Sequence, residues 1–331
     1  MIEVPEAALR IETVDYHTAG EPFRIVTGGV DPLPGRTIMD KRRYALEHLD
    51  RVRKLLDFEP RGHADMYGCF VTEPEDEGAD LGVVFFHNAG YSTACGHGTI
   101  ALVTWAIESA RLSAIEPMTA VVVDVPSGRL KTVATVAHGR VRSVRFRNVP
   151  SFVLADALRV EAGGRRVDVA VGYGGAFYAI VPAEAFELPV EPAFLPRLIE
   201  LGREIKAQIE ATREIVHPLN AELRDIYGVI FTQADRNVTV FADGEVDRSP
   251  CGSGTSARLA LLDRRGELAR GATLVHESIV GTRFSGRVVG DEQVGDLPAV
   301  ITEVEGSAYF TGSHRFVLMP DDPIGAGFLL R

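Results

Sequence analysis

Ala94–Cys95–Gly96–His97–Gly98–Thr99 and Pro250–Cys251–Gly252–Ser253–Gly254–Thr255 are nearly the same hexapeptide, one in each half of the chain. In each, a cysteine precedes Gly-x-Gly-Thr, and the run that follows reads as a helix. Only three cysteines occur in 331 residues, and two of them stand in this repeated setting. A thiol just ahead of a helix faces unpaired backbone N–H groups and the positive end of the helix dipole. Such a place binds anions and favours thiolate. Two such turns face to face would form a carboxylate cradle flanked by two thiols.

The flanking pattern supports a duplicated plan. An apolar, β-prone run at 81–87 feeds the first turn, and 98–109 is apolar around most of its circumference, which predicts an enclosed helix. The second turn, 247–254, follows strands at 229–232 and 237–241 and leads into a buried helix over 255–262. Further out, 9–16 and 23–30 read as strands around an Ala-Gly-Glu-Pro turn, and 37–58 as one amphipathic helix. Strands follow at 120–125, 132–137 and 141–149. A second β-rich unit opens near residue 155, with strands at 167–171 and 176–181 and a long helix over 195–215. Both halves thus run strands, long helix, strands, cysteine turn, buried helix, strands. This predicts an α+β chain of two pseudo-symmetric halves with its site in the cleft between them.

Composition excludes several functions. Apolar content of 46% and charged content of 24% are ordinary for a globular protein, while a net charge of −11 argues against nucleic acid or an anionic membrane as partner. No window approaches the roughly 20 apolar residues that span a bilayer. The opening stretch MIEVPEAALRIE has neither the basic nor the apolar region of a signal peptide, so a cytoplasmic protein with free thiols is expected.

The paired turns suit one difficult reaction. Removing the Cα proton of an amino acid puts a carbanion beside a carboxylate that is already negative. Several oriented N–H donors on the carboxylate can take up that growing charge without a cofactor. A base then works on one face and an acid on the other. Thiols serve both roles if a helix N-terminus brings their pKa toward neutrality from about 8.5. Gly96, Gly98, Gly252 and Gly254 would let backbone approach the ligand closely. His97 could donate to the carboxylate, and Asp247, four residues before Cys251, could hold an ammonium. Cys69 lacks such a turn and reads as packing. His63 and His87 read as structural or supporting. No CxxC, HxxxH or HExxH spacing suggests a metal or a redox pair. A non-catalytic thiol sensor is the alternative of another class.

At these residues the chain resembles the proline racemase family, which includes 4-hydroxyproline 2-epimerases and trans-3-hydroxy-L-proline dehydratases. The segments that carry the resemblance are DYHTAGEPFRIV (15–26), RGHADMYG (61–68), GYSTACGHGTIA (90–101), GYGGAFYAIV (172–181) and DRSPCGSGTSAR (247–258). The resemblance implies a diaminopimelate-epimerase-like fold, with two α/β domains that each wrap a β-barrel-like sheet around a central helix. It implies a first domain of 1–155 plus about 310–331 and a second of 156–309. It also implies Cys95 and Cys251 as the two acid/base thiols, with Gly96, His97, Gly252 and Ser253 as the carboxylate turns. Asp247 would sit beside the imino group, with no cofactor and no metal. The expected partners are a small imino-acid substrate and, at most, a second copy of the chain. Members of the dehydratase branch typically carry threonine at the second thiol position. This chain has Cys251 there, although Ser92 and its neighbours look more like that branch. The expected activity is inversion at Cα of 4-hydroxyproline, or of proline, with dehydration of trans-3-hydroxy-L-proline as the alternative or a second activity.

Overall fold

The first strands form a hairpin: β1 (Leu9–Thr18) and β2 (Glu21–Gly28) pair antiparallel around Ala19 and Gly20, both at positive φ. This computed structural model describes residues 5–330. Residues 1–4 of the opening stretch, and Arg331 of the terminal segment, lie outside it. After the hairpin come α1 (Ile38–His48), α2 (Asp50–Asp57), β3 (Tyr67–Thr72), β4 (Leu81–His87) and α3 (Gly96–Glu108). The first half continues with β5 (Met118–Val125), β6 (Gly128–Ala137) and β7 (Arg140–Arg147). The second half runs β8 (Ser151–Ala162), β9 (Arg165–Tyr173), β10 (Phe177–Pro182) and α4 (Leu195–Thr212). The small pair β11 (Val216–His217) and β12 (Asn220–Arg224) follows, then β13 (Ile226–Gln233), β14 (Arg236–Phe241) and β15 (Glu245–Asp247). The chain ends with α5 (Gly252–Arg264), β16 (Leu274–Glu277), β17 (Arg283–Val294), β18 (Leu297–Gly306) and β19 (Ala308–Leu318).

The strands sort into two matching ladders. One runs β19-β1-β2-β3-β4-β5-β6-β7, with parallel steps at β2–β3 and β4–β5. The other runs β8-β9-β10-β13-β14-β16-β17-β18, with parallel steps at β10–β13 and β14–β16, and closes through β18–β8. The β7–β18 pair joins the ladders. Each ladder wraps one apolar helix: α3 packs on β1, β2, β7 and β19, and α5 on β8, β9, β17 and β18. That enclosure explains the all-round apolar face of α3. Ile100, Leu102 and Val103 are fully buried, each favouring burial by about 1.5–3 kcal/mol. The fold is the two-lobed α+β architecture with a central helix per lobe.

The sequence reading differs from the structure most instructively at the first helix and at β8, and it also lacks β3 and the short strands β11, β12 and β15. The helix expected over 37–58 breaks at Leu49 (φ −113°, ψ 7°), which ends α1 and starts α2. The break lets Ile38 and Ala45 of α1, and Val52, Leu55 and Leu56 of α2, share one core with Ile11, Val84 and Phe86. Strand β8 went unread because its pairing with β9 shifts register on both sides of Ala155, which spoils the alternation. Among the described residues no helix is long and apolar enough to cross a membrane.

Candidate active site

Helices α3 and α5 meet end to end. A Cβ on Gly96 would lie 2.5 Å from Gly252 Cα, and one on Gly252 would lie 2.7 Å from Gly96 Cα. Only glycine on both sides permits that approach. The second glycine of each turn makes room for sulfur: a Cβ on Gly98 would be 2.6 Å from Cys95 Sγ, and one on Gly254 would be 2.8 Å from Cys251 Sγ. Each thiol therefore lies folded over the first turn of its own helix. Thr99 and Thr255 complete the symmetry, their hydroxyls donating to the carbonyls of Cys95 and Cys251 at 2.8 and 2.6 Å.

The two turns are braced differently. Cys95 is extended (φ −151°), and Gly98 N donates to its sulfur at 3.2 Å. Cys251 holds φ +66°, a region side-chain residues rarely enter. Its loop is tied down by Ser249 N to Asp247 Oδ1 (2.8 Å), Cys251 N to Ser249 Oγ (3.1 Å) and Asn237 Nδ2 to Pro250 O (3.0 Å). Tyr178 lies 3.7 Å from Cys251 Sγ and 2.7 Å from Ser253 Oγ.

Electrostatics depart from the expectation of activated thiols. Both cysteines are only 5% exposed, and burial pushes both thiols well up in pKa. The Gly98 N–H pulls Cys95 down, but the negative field of Asp247 adds to desolvation at both sites. At both thiols desolvation outweighs the helix terminus. His97, 3.4 Å from Cys95 Sγ through Nε2, is pushed down to about 3 by burial and is therefore neutral. Burial raises Asp247 to about 6 against the donors from Ser249, so above that pH it is largely anionic.

The expected site residues come together at this junction. Cys95, Gly96 and His97 open α3. Cys251, Gly252 and Ser253 open α5, and Asp247 Oδ2 lies 3.8 Å from His97 Nδ1. Cys69 is buried in β3, His63 is exposed, and His87 is buried 3.9 Å from Glu245. Three tyrosines were missed. Tyr178 faces Cys251. Tyr67 and Tyr227 each begin a Tyr-Gly pair at matching places on β3 and β13, and their hydroxyls are 3.0 Å apart across the junction. Tyr67 also hydrogen-bonds Ser92. The repeated Tyr-Gly was the available signal. Outside this pair lies a cleft of about 460 Å³ whose lining includes Ser92, Thr93, Tyr173, Phe177, Ile226 and Tyr227. Among the described residues no group of three His, Cys, Asp or Glu side chains could hold a metal ion.

Two matched lobes thus present a buried thiol at each of two abutting helix N-termini. A sequence model of the proline racemase family matches residues 13–329, and the chain belongs to that family. It is 48% identical over 329 residues to a trans-3-hydroxy-L-proline dehydratase from Burkholderia cenocepacia, covering 97% of this chain and 98% of that protein. It is 47% identical over 329 residues to a 3-hydroxyproline 2-epimerase from Burkholderia multivorans, with the same coverage. A solved hydroxyproline epimerase from Agrobacterium vitis, with bound trans-4-hydroxy-L-proline, superposes with a TM-score of 0.91. The two are 31% identical, over 97% of this chain and 96% of that one.

Proposed function

We propose that the protein inverts Cα of hydroxyproline by passing a proton between Cys95 and Cys251, with 4-hydroxyproline as substrate and proline accepted less well. The observation that carries this reading is the pair of thiols at the abutting starts of α3 and α5. First-turn N–H groups of Gly96, His97, Gly252 and Ser253 supply donors for the substrate carboxylate, whose charge grows as the proton leaves. Asp247 takes the ring nitrogen. One thiolate removes the Cα proton from its face, and the opposite thiol delivers its own proton to the other. The enzyme ends with the two roles exchanged. Burial is the main influence that holds both thiols up, and the cationic nitrogen beside Asp247 offsets the negative field that adds to it, so substrate lowers the cost of forming a thiolate. No cofactor is needed for this route. A cytoplasmic location belongs to the same proposal, supported by three unpaired cysteines.

A second reading, water loss from trans-3-hydroxy-L-proline, is favoured by the hydroxyl cluster of Tyr67, Ser92 and Tyr227 beside the thiols. Elimination needs only one Cα base. Proton NMR of reduced enzyme in D₂O, with trans-4-hydroxy-L-proline and trans-3-hydroxy-L-proline in separate tubes, tests both. Inversion with Cα deuteration, lost by at least about a hundredfold in Cys95→Ser or Cys251→Ser, is the expected result. Water loss that survives Cys251→Ser, with no inversion of the 4-hydroxy compound, would establish the dehydratase instead.

A further inference from the structure

The tip of the β1–β2 hairpin leaves its own lobe. Thr282 Oγ1 donates to Ala19 O at 2.6 Å, and Gly20 lies against Val280 and Arg248. Arg248 N donates to Glu21 Oε2 at 2.6 Å, and Thr18 Oγ1 donates to His97 O at 2.9 Å. The tip thus bridges the backbone of the first cysteine turn and the residue next to Asp247. Glu21 is wholly buried there, and its second oxygen, Oε1, has no hydrogen-bond partner. The Arg248 guanidinium is committed to Asp65 at 2.7 Å. Among the described residues the one basic side chain within ion-pair distance of Asp247 is His97, which burial keeps neutral, and Glu21 has none. Two buried acids therefore share this corner of the site without a paired cation. A lone buried carboxylate is strongly disfavoured unless it holds a proton or meets a positive charge.

We propose that Glu21 is a positioning residue acting through Asp247: it clamps the backbone carrying Asp247 and shares one proton with it, until the cationic substrate nitrogen takes that proton's place. The identity of the cation rests on the function proposed above. Charge balances: the pair with its proton, and the pair with the cation after that proton leaves to solvent, are each singly negative. The charged groups facing Glu21 are Asp247 and Asp65, which raise it, and Arg248, which opposes them. Burial is the largest influence and moves Glu21 well above the usual carboxylate range. Asp247 is faced by Ser249, Cys251 and Arg248, all of which pull it down against burial.

Glu21→Gln keeps an oxygen for Arg248 N and removes the titrating acid. An acid raised in the native state contributes stability that is full below its ordinary value near ~4.3 and is lost as pH rises through the native value. Between pH 5 and 9 the wild type should therefore lose several degrees of Tm relative to Glu21→Gln, a ligand-free reading. The acid limb of kcat/KM for hydroxyproline inversion should also move down in Glu21→Gln by at least about half a pH unit, because Asp247 no longer competes with a second acid. Glu21→Ala, which loses clamp and acid together, should lower kcat as well, and Gln should restore it. Parallel Tm curves, or superimposable pH profiles with only scaled rates, would overturn the proposal. Absence of inversion in wild type would sink the assigned reaction, while the Tm comparison would still decide on the shared proton.

Discussion

Cys251 is the residue on which the second turn is built, and its φ of +66° is held against a preference of order 1–3 kcal/mol. Four hydrogen bonds in the surrounding loop, from Ser249, Cys251, Asn237 and Thr255, keep it there. The strain places sulfur over the first turn of α5 and beside Tyr178. Tyr178 pulls the Cys251 thiol down while burial drives it up. Tyr178→Phe should therefore move the alkaline limb of kcat/KM to higher pH and lower kcat/KM about tenfold, the loss of one charge-assisted hydrogen bond. Both directions of inversion must fall together, since the equilibrium between epimers fixes their ratio. An unshifted profile would reduce Tyr178 to a packing role. At this scale the repeated turn made the thiols, glycines, His97 and Asp247 legible, because each needs only its neighbours in sequence to suggest its chemistry. The thiol ionisation was not legible. It depends on how completely two lobes exclude water, which no hexapeptide encodes. Tyr178, Tyr67 and Glu21 stood inside recognised segments, yet their contacts are all long-range.

The elements that matter most are α3 and α5, and their lengths are set by what they touch. Each begins at a glycine because its partner's backbone occupies the space a side chain would fill. Gly252→Ala would drive Cβ into Gly96 Cα, where the obstacle is backbone and no rotamer can yield. Activity should fall at least a hundredfold, and urea unfolding should register a loss of about 1–3 kcal/mol, the usual range for overpacking. Gly266→Ala is an informative control: its φ of +68° strains the backbone just past the far end of α5, but a Cβ there meets nothing, so it should cost stability and leave turnover unchanged. Equal turnover in Gly252→Ala would mean the helix termini part easily and that their contact does not define the site. Most strands and helices could be read from periodicity, since each buries one regular stripe. Leu49 and β8 could not. The first breaks a helix to suit a core shared with Ile11, Val84 and Phe86, and the second bulges around Ala155.

The whole molecule is held by exchange. After β7 the chain passes into the second ladder as β8, and after β18 it returns to the first as β19, which pairs with β1 from Leu9 to Thr18. This supports a division at about residues 150 and 307, because the boundary expected at 155 cuts through β8 and the one at 309–310 cuts through β19. Duplication was legible from two hexapeptides, whereas the exchange was not, because it is decided by pairing between residues some 300 positions apart. With strands crossing in both directions the lobes can rock but not separate. Because the thiols are buried, the expected route for ligand is through such rocking. Tyr67 and Tyr227, one from each lobe, bond at 3.0 Å between the thiols and the outer cleft, and so hold the closed state. Tyr227→Phe removes that bond, worth about 1 kcal/mol, and should raise the open population roughly fivefold. Alkylation of the thiols by iodoacetamide in ligand-free enzyme, compared at equal thiolate fraction because Tyr67 also pulls the Cys95 thiol down, reads that population. The rate should rise about fivefold in Tyr227→Phe and in Tyr67→Phe, and no further in the double variant, since either change breaks the same bond. Rates equal to wild type would mean that the strand exchange alone sets the closure, and that the tyrosine pair serves the ring hydroxyl instead.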